Sequence, residues 1–271
     1  MSLRSTLVRT SALALLALLI TVPASAQEAA PNIAVTYTAD VAPADMSAFS
    51  EGLEGWVERM AEDGETWTWN VFQTFTGPPR FVIMSPGHTF ADFDRDPTVT
   101  EDRMSENEEY MQENVSRYLM NAEVSMMQLR EDISNQTPED MAPPFWQVIS
   151  WELTDGSTQG YLALTNAWTK VREAVLAGNE QAAAAGEDPF YFNVFNTRFN
   201  EGPPRMLVSF PVNSMADLDG GDPLGFFKLL AATHGHEDAV AIEAVFSKYL
   251  TPVENNIYVW RQDLSYAPDG M

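Results

Sequence analysis

The sequence predicts an α+β protein of two tandem β-α-β-β-α-β units packed sheet to sheet. Three observations carry that prediction. Short motifs recur in the same order in both halves of the chain. Apolar spacing switches between a strand period and a helix period in the same sequence within each half. The strands read this way carry apolar residues on both faces, so their sheets must be covered on both sides.

The repeat comes first because a missed repeat misassigns a whole fold. Asn70-Val71-Phe72-Gln73-Thr74 recurs as Asn193-Val194-Phe195-Asn196-Thr197, and Gly77-Pro78-Pro79-Arg80 recurs as Gly202-Pro203-Pro204-Arg205. Ala91-Asp92-Phe93-Asp94 matches Ala216-Asp217-Leu218-Asp219, and Ser116-Arg117-Tyr118-Leu119 matches Ser247-Lys248-Tyr249-Leu250. Arg130-Glu131-Asp132-Ile133-Ser134 closes the series as Arg261-Gln262-Asp263-Leu264-Ser265. Matches that stay collinear point to internal duplication. The predicted organisation is a first unit over 27–135, a linker over 136–144 rich in Pro and polar residues, and a second unit over 145–271.

Each unit opens on a strand. Ile33, Val35 and Tyr37 alternate with Ala34, Thr36 and Thr38; Trp146 to Leu153 is the counterpart. A helix follows, with Met46, Phe49, Leu53, Trp56, Val57 and Met60 at helical spacing and Asp45 as its N-cap. The second copy has Tyr161, Leu164, Trp168, Val171 and Val175, ending at Gly178-Asn179 or, through an Ala-rich turn, at Gly186. A hairpin comes next: Thr66 to Phe75 with Arg80 to Ser85, and Phe190 to Phe199 with Arg205 to Phe210. The Pro pairs fall in the turns, since Pro cannot donate to a ladder. Met111, Val115, Tyr118 and Leu119 mark the second helix, matched by Ile242, Val245, Phe246, Tyr249 and Leu250. The last strands are Val124 to Asp132 and Asn256 to Leu264.

This order is the ferredoxin-like split βαβ unit, an antiparallel sheet with both helices on one face. The second strand points Trp67, Trp69 and Val71 one way and Thr68, Asn70, Phe72 and Thr74 the other. On the last strand Tyr258 and Trp260 share one face, and Ile257 and Val259 the other. The uncovered face of each sheet therefore needs a partner, and the other unit supplies one. In this respect the chain resembles the dimeric α/β-barrel superfamily in tandem form. That group includes NIPSNAP-like and EthD-like domains, antibiotic-biosynthesis-type monooxygenases, haem-degrading monooxygenases and chlorite dismutases. The resemblance rests on element order and repetition over nearly the whole mature chain. It implies an intramolecular barrel.

The first 26 residues read as a signal peptide. Arg4 and Arg9 supply the positive start, Ala12 to Val22 is nearly all apolar, and Ala24-Ser25-Ala26 precedes Gln27 as a cleavage site. Without an adjacent arginine pair the expected route is general secretion, to a bacterial periplasm or beyond. No membrane span is expected after cleavage. The chain contains no Cys, which excludes disulfides, thiol chemistry and a lipid-modified cysteine anchor. With 15 Lys and Arg against 39 Asp and Glu, the formal net charge is −24. Such a surface repels nucleic acid and anionic lipid, so neither is an expected partner.

Candidate site residues follow from the repeat. Asn70 and Asn193 sit in matching places beside Phe72 and Phe195 on the face expected to look into the barrel. They can orient a ligand among aromatic walls, or satisfy each other and the backbone. Arg80, Arg205, Arg130 and Arg261 are four cations in register in a chain poor in them. They suit a carboxylate or enolate ligand, or ion pairs with the abundant acids, Arg130 with Asp132 and Arg261 with Asp263 first among them. His88 is the candidate general base or haem ligand. His234 and His236 have metal-ligand chemistry but no further ligands at a recognisable spacing, and a solvated helix start beside Glu237 and Asp238 accounts for them. No metal site and no cofactor are predicted: Gly-rich phosphate loops, nucleophile elbows and Cys/His zinc patterns are all missing.

Three readings remain. The first is an exported acidic protein, monomer or homodimer, that binds a small apolar or aromatic molecule between its sheets. The second is a cofactor-free or haem-dependent monooxygenase-like enzyme, in which substrate or haem supplies the redox chemistry. The third is a structural or subunit-interaction protein whose sheet face closes a contact.

Overall fold

The computed structural model describes residues 32–94, 101–138, 141–199, 202–218 and 225–268. The signal segment, Glu139 and Asp140 of the linker, and Asp219 of the repeat lie outside the described residues.

The first half runs β1 (Ile33–Val41), α1 (Met46–Asp63), β2 (Asn70–Thr74), β3 (Arg80–His88), α2 (Glu101–Asn114) and β4 (Leu119–Leu129). The second runs β5 (Phe145–Leu153), α3 (Thr158–Ala185), β6 (Asn193–Phe199), β7 (Arg205–Val212), α4 (Gly225–His234), α5 (His236–Tyr249) and β8 (Leu250–Trp260). Within the halves the strands lie in the orders β4-β1-β3-β2 and β8-β5-β7-β6. The halves then join edge to edge. β2 pairs with β8 through Phe72–Trp260, Gln73–Val259 and Thr74–Tyr258, and β4 pairs with β6 through contacts that include Met127–Thr197 and Leu129–Phe195. All pairings are antiparallel, and the result is a closed eight-stranded barrel that leaves no sheet edge unpaired. The fold is α+β, two ferredoxin-like units forming one barrel, as the alternation of periods predicts.

The helices pack outside. α1 buries Phe49, Leu53 and Met60 and stops at Gly64, whose φ of 67° only glycine adopts cheaply. Asp45 is its N-cap residue, but the aspartate side chain makes no capping hydrogen bond. α3 is capped by Ser157, which accepts from the Gly160 amide at 3.1 Å. It continues past Gly178 and Asn179 to Gly186, because its Ala-rich tail favours helix. Between helices and barrel wall lie two cores. One holds Phe49, Leu53, Val71, Phe81 and Val115; the other holds Leu164, Trp168, Val171, Phe192, Val194, Met206 and Val208. Each such large side chain contributes about 1.5–3 kcal/mol of burial.

Several boundaries differ from the sequence reading. β4 and β8 begin at Leu119 and Leu250, earlier than Val124 and Asn256. The stretch Leu119-Met120-Asn121-Ala122-Glu123 has little strand propensity of its own and is held extended by pairing with β1. In β8, Pro252 sits at a register shift opposite Trp151, where a residue without an N–H is tolerated. β2 is shorter than Thr66 to Phe75. Trp69 instead exchanges backbone hydrogen bonds of 2.8 Å with Tyr266 beyond the last strand. α4 is a helix the sequence reading did not assign.

Candidate functional site

Strand alternation sends one face of every β-segment into the barrel. There it lines a partly open cavity of about 320 Å³. Thr36, Thr38 and Asp40 enter from β1, Phe72 from β2, and Arg80, Val82 and Met84 from β3. Asn121, Glu123, Ser125 and Met127 enter from β4. The second half adds Trp146, Val148 and Ser150 from β5 and Asn193, Phe195 and Thr197 from β6. Arg205, Leu207 and Ser209 enter from β7, and Glu254 and Tyr258 from β8. The wall mixes apolar and aromatic side chains with Thr, Ser and Asn and with five charged residues. Phe72 meets Trp146 edge to face at 6.4 Å. Thr36 and Ser125 hydroxyls bond each other at 2.7 Å.

Arg80 is the best-anchored charge in this wall. Its Nε donates to Asp40 Oδ1 at 2.7 Å and its Nη1 to Glu254 Oε1 at 2.8 Å, so one guanidinium ties β3 to β1 and to β8 of the other half. Burial opposes its charge, but the bonds to Asp40 and Glu254 outweigh that and push its pKa up. Nearby Tyr258 is also pushed up, by burial first and then by the Glu254 charge.

Arg205 faces the same cavity with far weaker support. Its Nη2 lies 3.9 Å from Glu152 Oε1, and among the described residues its guanidinium makes no hydrogen bond and its buried Nε has no partner. The hairpin ends are otherwise alike. Thr74 Oγ1 accepts from the Arg80 amide at 2.9 Å, and Thr197 Oγ1 from the Arg205 amide at 2.8 Å.

The other candidates are dispersed. Asn193 lines the cavity and spends its amide on Thr137, accepting from the backbone N–H at 3.4 Å and donating to Oγ1 at 3.3 Å. Asn70 pairs in register with Met84 and is not among the lining residues. Arg130 and Arg261 lie just beyond β4 and β8, in turns rather than on a strand face, and do not line the cavity. Arg130 holds Asp132 at 2.9 and 2.7 Å and reaches Thr165; Arg261 holds Asp263 and reaches Gln73 at 2.6 Å. The arginine bonds keep both carboxyls below the usual aspartate range.

His88 is turned away from the cavity. Pairing between β1 and β3 shifts register before it, Gly87 has a φ of 81°, and this bulge swings the ring to the outer side. The ring is buried there against Trp67 at 3.9 Å between centroids and bonds Ser85 Oγ at 2.8 Å. His234 bonds the Lys170 carbonyl at 2.8 Å, and His236 packs on Phe227. Among the described residues no histidine lines the cavity, so a haem held by histidine does not fit this wall. No group of three or more His, Asp or Glu able to hold a metal occurs among them either. No described helix is long and apolar enough to cross a membrane.

Sequence reasoning missed Asp40, Glu123, Glu152, Glu254, Trp146 and Tyr258. The repeat held a signal for two of them: Glu123 and Glu254 stand at the same distance from the matched Tyr118 and Tyr249.

The closed strand order of two ferredoxin-like units defines a dimeric α/β barrel, here within one chain. No protein-family model and no curated protein matches the sequence. Similar solved structures exist. A candidate monooxygenase from Fusobacterium nucleatum subsp. nucleatum matches with a TM-score of 0.50 at 8% identity, over 90% of this chain and 97% of that one. A candidate monooxygenase from Lactobacillus acidophilus matches with a TM-score of 0.49 at 9% identity, over 88% and 97%. A mutant chlorite dismutase from Candidatus Nitrospira defluvii matches with 0.48 at 9%, over 86% and 94%. At these identities the likeness is one of fold.

Proposed function

We propose that the protein binds a small, largely apolar or aromatic molecule inside its barrel. The observation that carries this reading is the partly open cavity of about 320 Å³ whose wall includes Phe72, Trp146, Phe195, Leu207 and Tyr258. Small-molecule sites combine such walls with a few placed polar groups, and this volume sits at the lower end of their usual range. The test is titration with the neutral dye N-phenyl-1-naphthylamine. The reading expects one saturable site, lost when Ser209→Phe fills the interior; unsaturable binding contradicts it.

The chain acts outside the cytoplasm in this proposal. The support is the charged start, apolar run and Ala24-Ser25-Ala26 site of its first 26 residues. N-terminal sequencing of protein from the periplasmic fraction should begin at Gln27.

A second reading is a monooxygenase-like enzyme without a cofactor of its own. Its support is the fold shared with the Fusobacterium candidate monooxygenase. Here the substrate would supply the electrons, and the wall would orient it and exclude water. Oxygen consumption on adding whatever co-purifies with the protein tests it.

A further inference from the structure

The two halves of the cavity wall carry the same charged residues in matching places, but only one set is joined. Asp40 faces Arg80 across β1 and β3, and Glu152 faces Arg205 across β5 and β7. Glu254 on β8 has its counterpart in Glu123 on β4. In the first set Arg80 bonds both carboxylates and closes that part of the wall. In the second, among the described residues, Arg205 has only the 3.9 Å contact with Glu152, and Glu123, which also lines the cavity, makes no ion pair. The hairpins beside the two arginines also differ in length. Thr197 and Arg205 are eight residues apart where Thr74 and Arg80 are six, although the same bond closes both turns.

A partly buried guanidinium without hydrogen bonds is costly, and so is a carboxylate left without a partner. Both groups are ready to bond something that enters. We propose that this unjoined set is the polar end of the ligand site. The ligand carries there an uncharged head that accepts a hydrogen bond from Arg205 and donates one to Glu123, as a primary carboxamide does. This rests on the reading that the barrel interior binds a small apolar molecule. Charge argues for neutrality in the head. An anion drawn to Arg205 also meets Glu123 and Glu152, while a cation drawn to Glu123 meets Arg205. The apolar part of the ligand has its place beside this end. Leu207 follows Arg205 on the same face of β7 and pairs with Phe195 of β6.

Three probes of one size separate the alternatives: 2-naphthamide, 2-naphthoate and 2-methylnaphthalene, measured by equilibrium dialysis against the whole protein. The amide should bind at least about tenfold more tightly than either other probe. Arg205→Met should remove that advantage and leave 2-methylnaphthalene unchanged. Glu123→Ala, on a different strand, should do the same and guards against a variant that fails to fold. If the methyl compound binds and the amide is no better, or if Arg205→Met weakens all three alike, the polar end is misassigned while the cavity reading stands. A tighter naphthoate also overturns the neutral head. If none of the three binds, the cavity reading itself fails and this inference with it.

Discussion

Arg80 and Glu254 meet at 2.8 Å across the inside of the barrel, the first on β3 of one half and the second on β8 of the other. The contact lies near the seam where β2 and β8 join, so a single charge pair adds to the backbone pairing there. Glu254→Gln keeps the shape and removes the charge. It should cost about 1 kcal/mol, below the usual range for bonds to charged groups because 37% of the Glu254 side chain is exposed. Urea unfolding of the two proteins checks this. Because the pair is partly shielded, the difference should persist at high salt.

The closed barrel makes the two cores parts of one folding unit. Phe81 is fully buried and packs on Phe49 with ring centroids 4.8 Å apart in the first half; Met206 is 1% exposed in the second. Phe81→Ala should cost about 3–5 kcal/mol and Met206→Ala about 2–5 kcal/mol. Both should displace the same single transition. Calorimetry that resolves two transitions, each moved by only one substitution, would contradict the account.

Acid should act in part through the paired turns. The bonds from Arg130 and Arg261 hold Asp132 and Asp263 below their ordinary range. A depressed carboxyl stabilises the folded state above the unfolded-state pKa of about 3.9, and that contribution is lost as pH falls through the folded value. Asp132→Asn and Asp263→Asn should therefore lower stability at pH 6. Their difference from the wild type should shrink towards pH 2. Urea midpoints at the two pH values report it.

The bulge before His88 depends on Gly87. Its φ of 81° lies in the left-handed region, and a Cβ there would meet nothing within 4 Å, so the cost of Gly87→Ala is conformational alone. About 1–2 kcal/mol is expected, together with a change in the fluorescence of Trp67, which packs on the His88 ring. An unchanged spectrum and stability would contradict the role given to the bulge.

Much of the fold was legible because the repeat and the two apolar faces of the strands each impose a constraint that local sequence displays. Val71 towards the helices and Phe72 towards the interior follow from alternation alone. What was not legible depends on pairing across the chain. Leu119 to Glu123 looks unlike a strand, and its neighbour β1 makes it one. His88 lies past the expected end of the third strand at Ser85, and β3 instead runs on to it through a bulge that sets its direction. Arg80 and Arg205 looked equivalent in the sequence. Arg130 and Arg261 bond acids two residues away, which their spacing displayed. The divergence of Arg80 and Arg205 turns on Glu254 and Glu123, which come from distant strands of the opposite half.

The account depends most on the two seams that close the barrel. Cross-strand backbone Overhauser contacts in deuterated protein read them directly. The structure requires contacts between Phe72 and Trp260 and between Thr74 and Tyr258 at one seam, and between Gln128 and Asn196 and between Leu129 and Phe195 at the other. Contacts confined to β4-β1-β3-β2 and to β8-β5-β7-β6, with neither seam present, would contradict the closed barrel and the cavity within it.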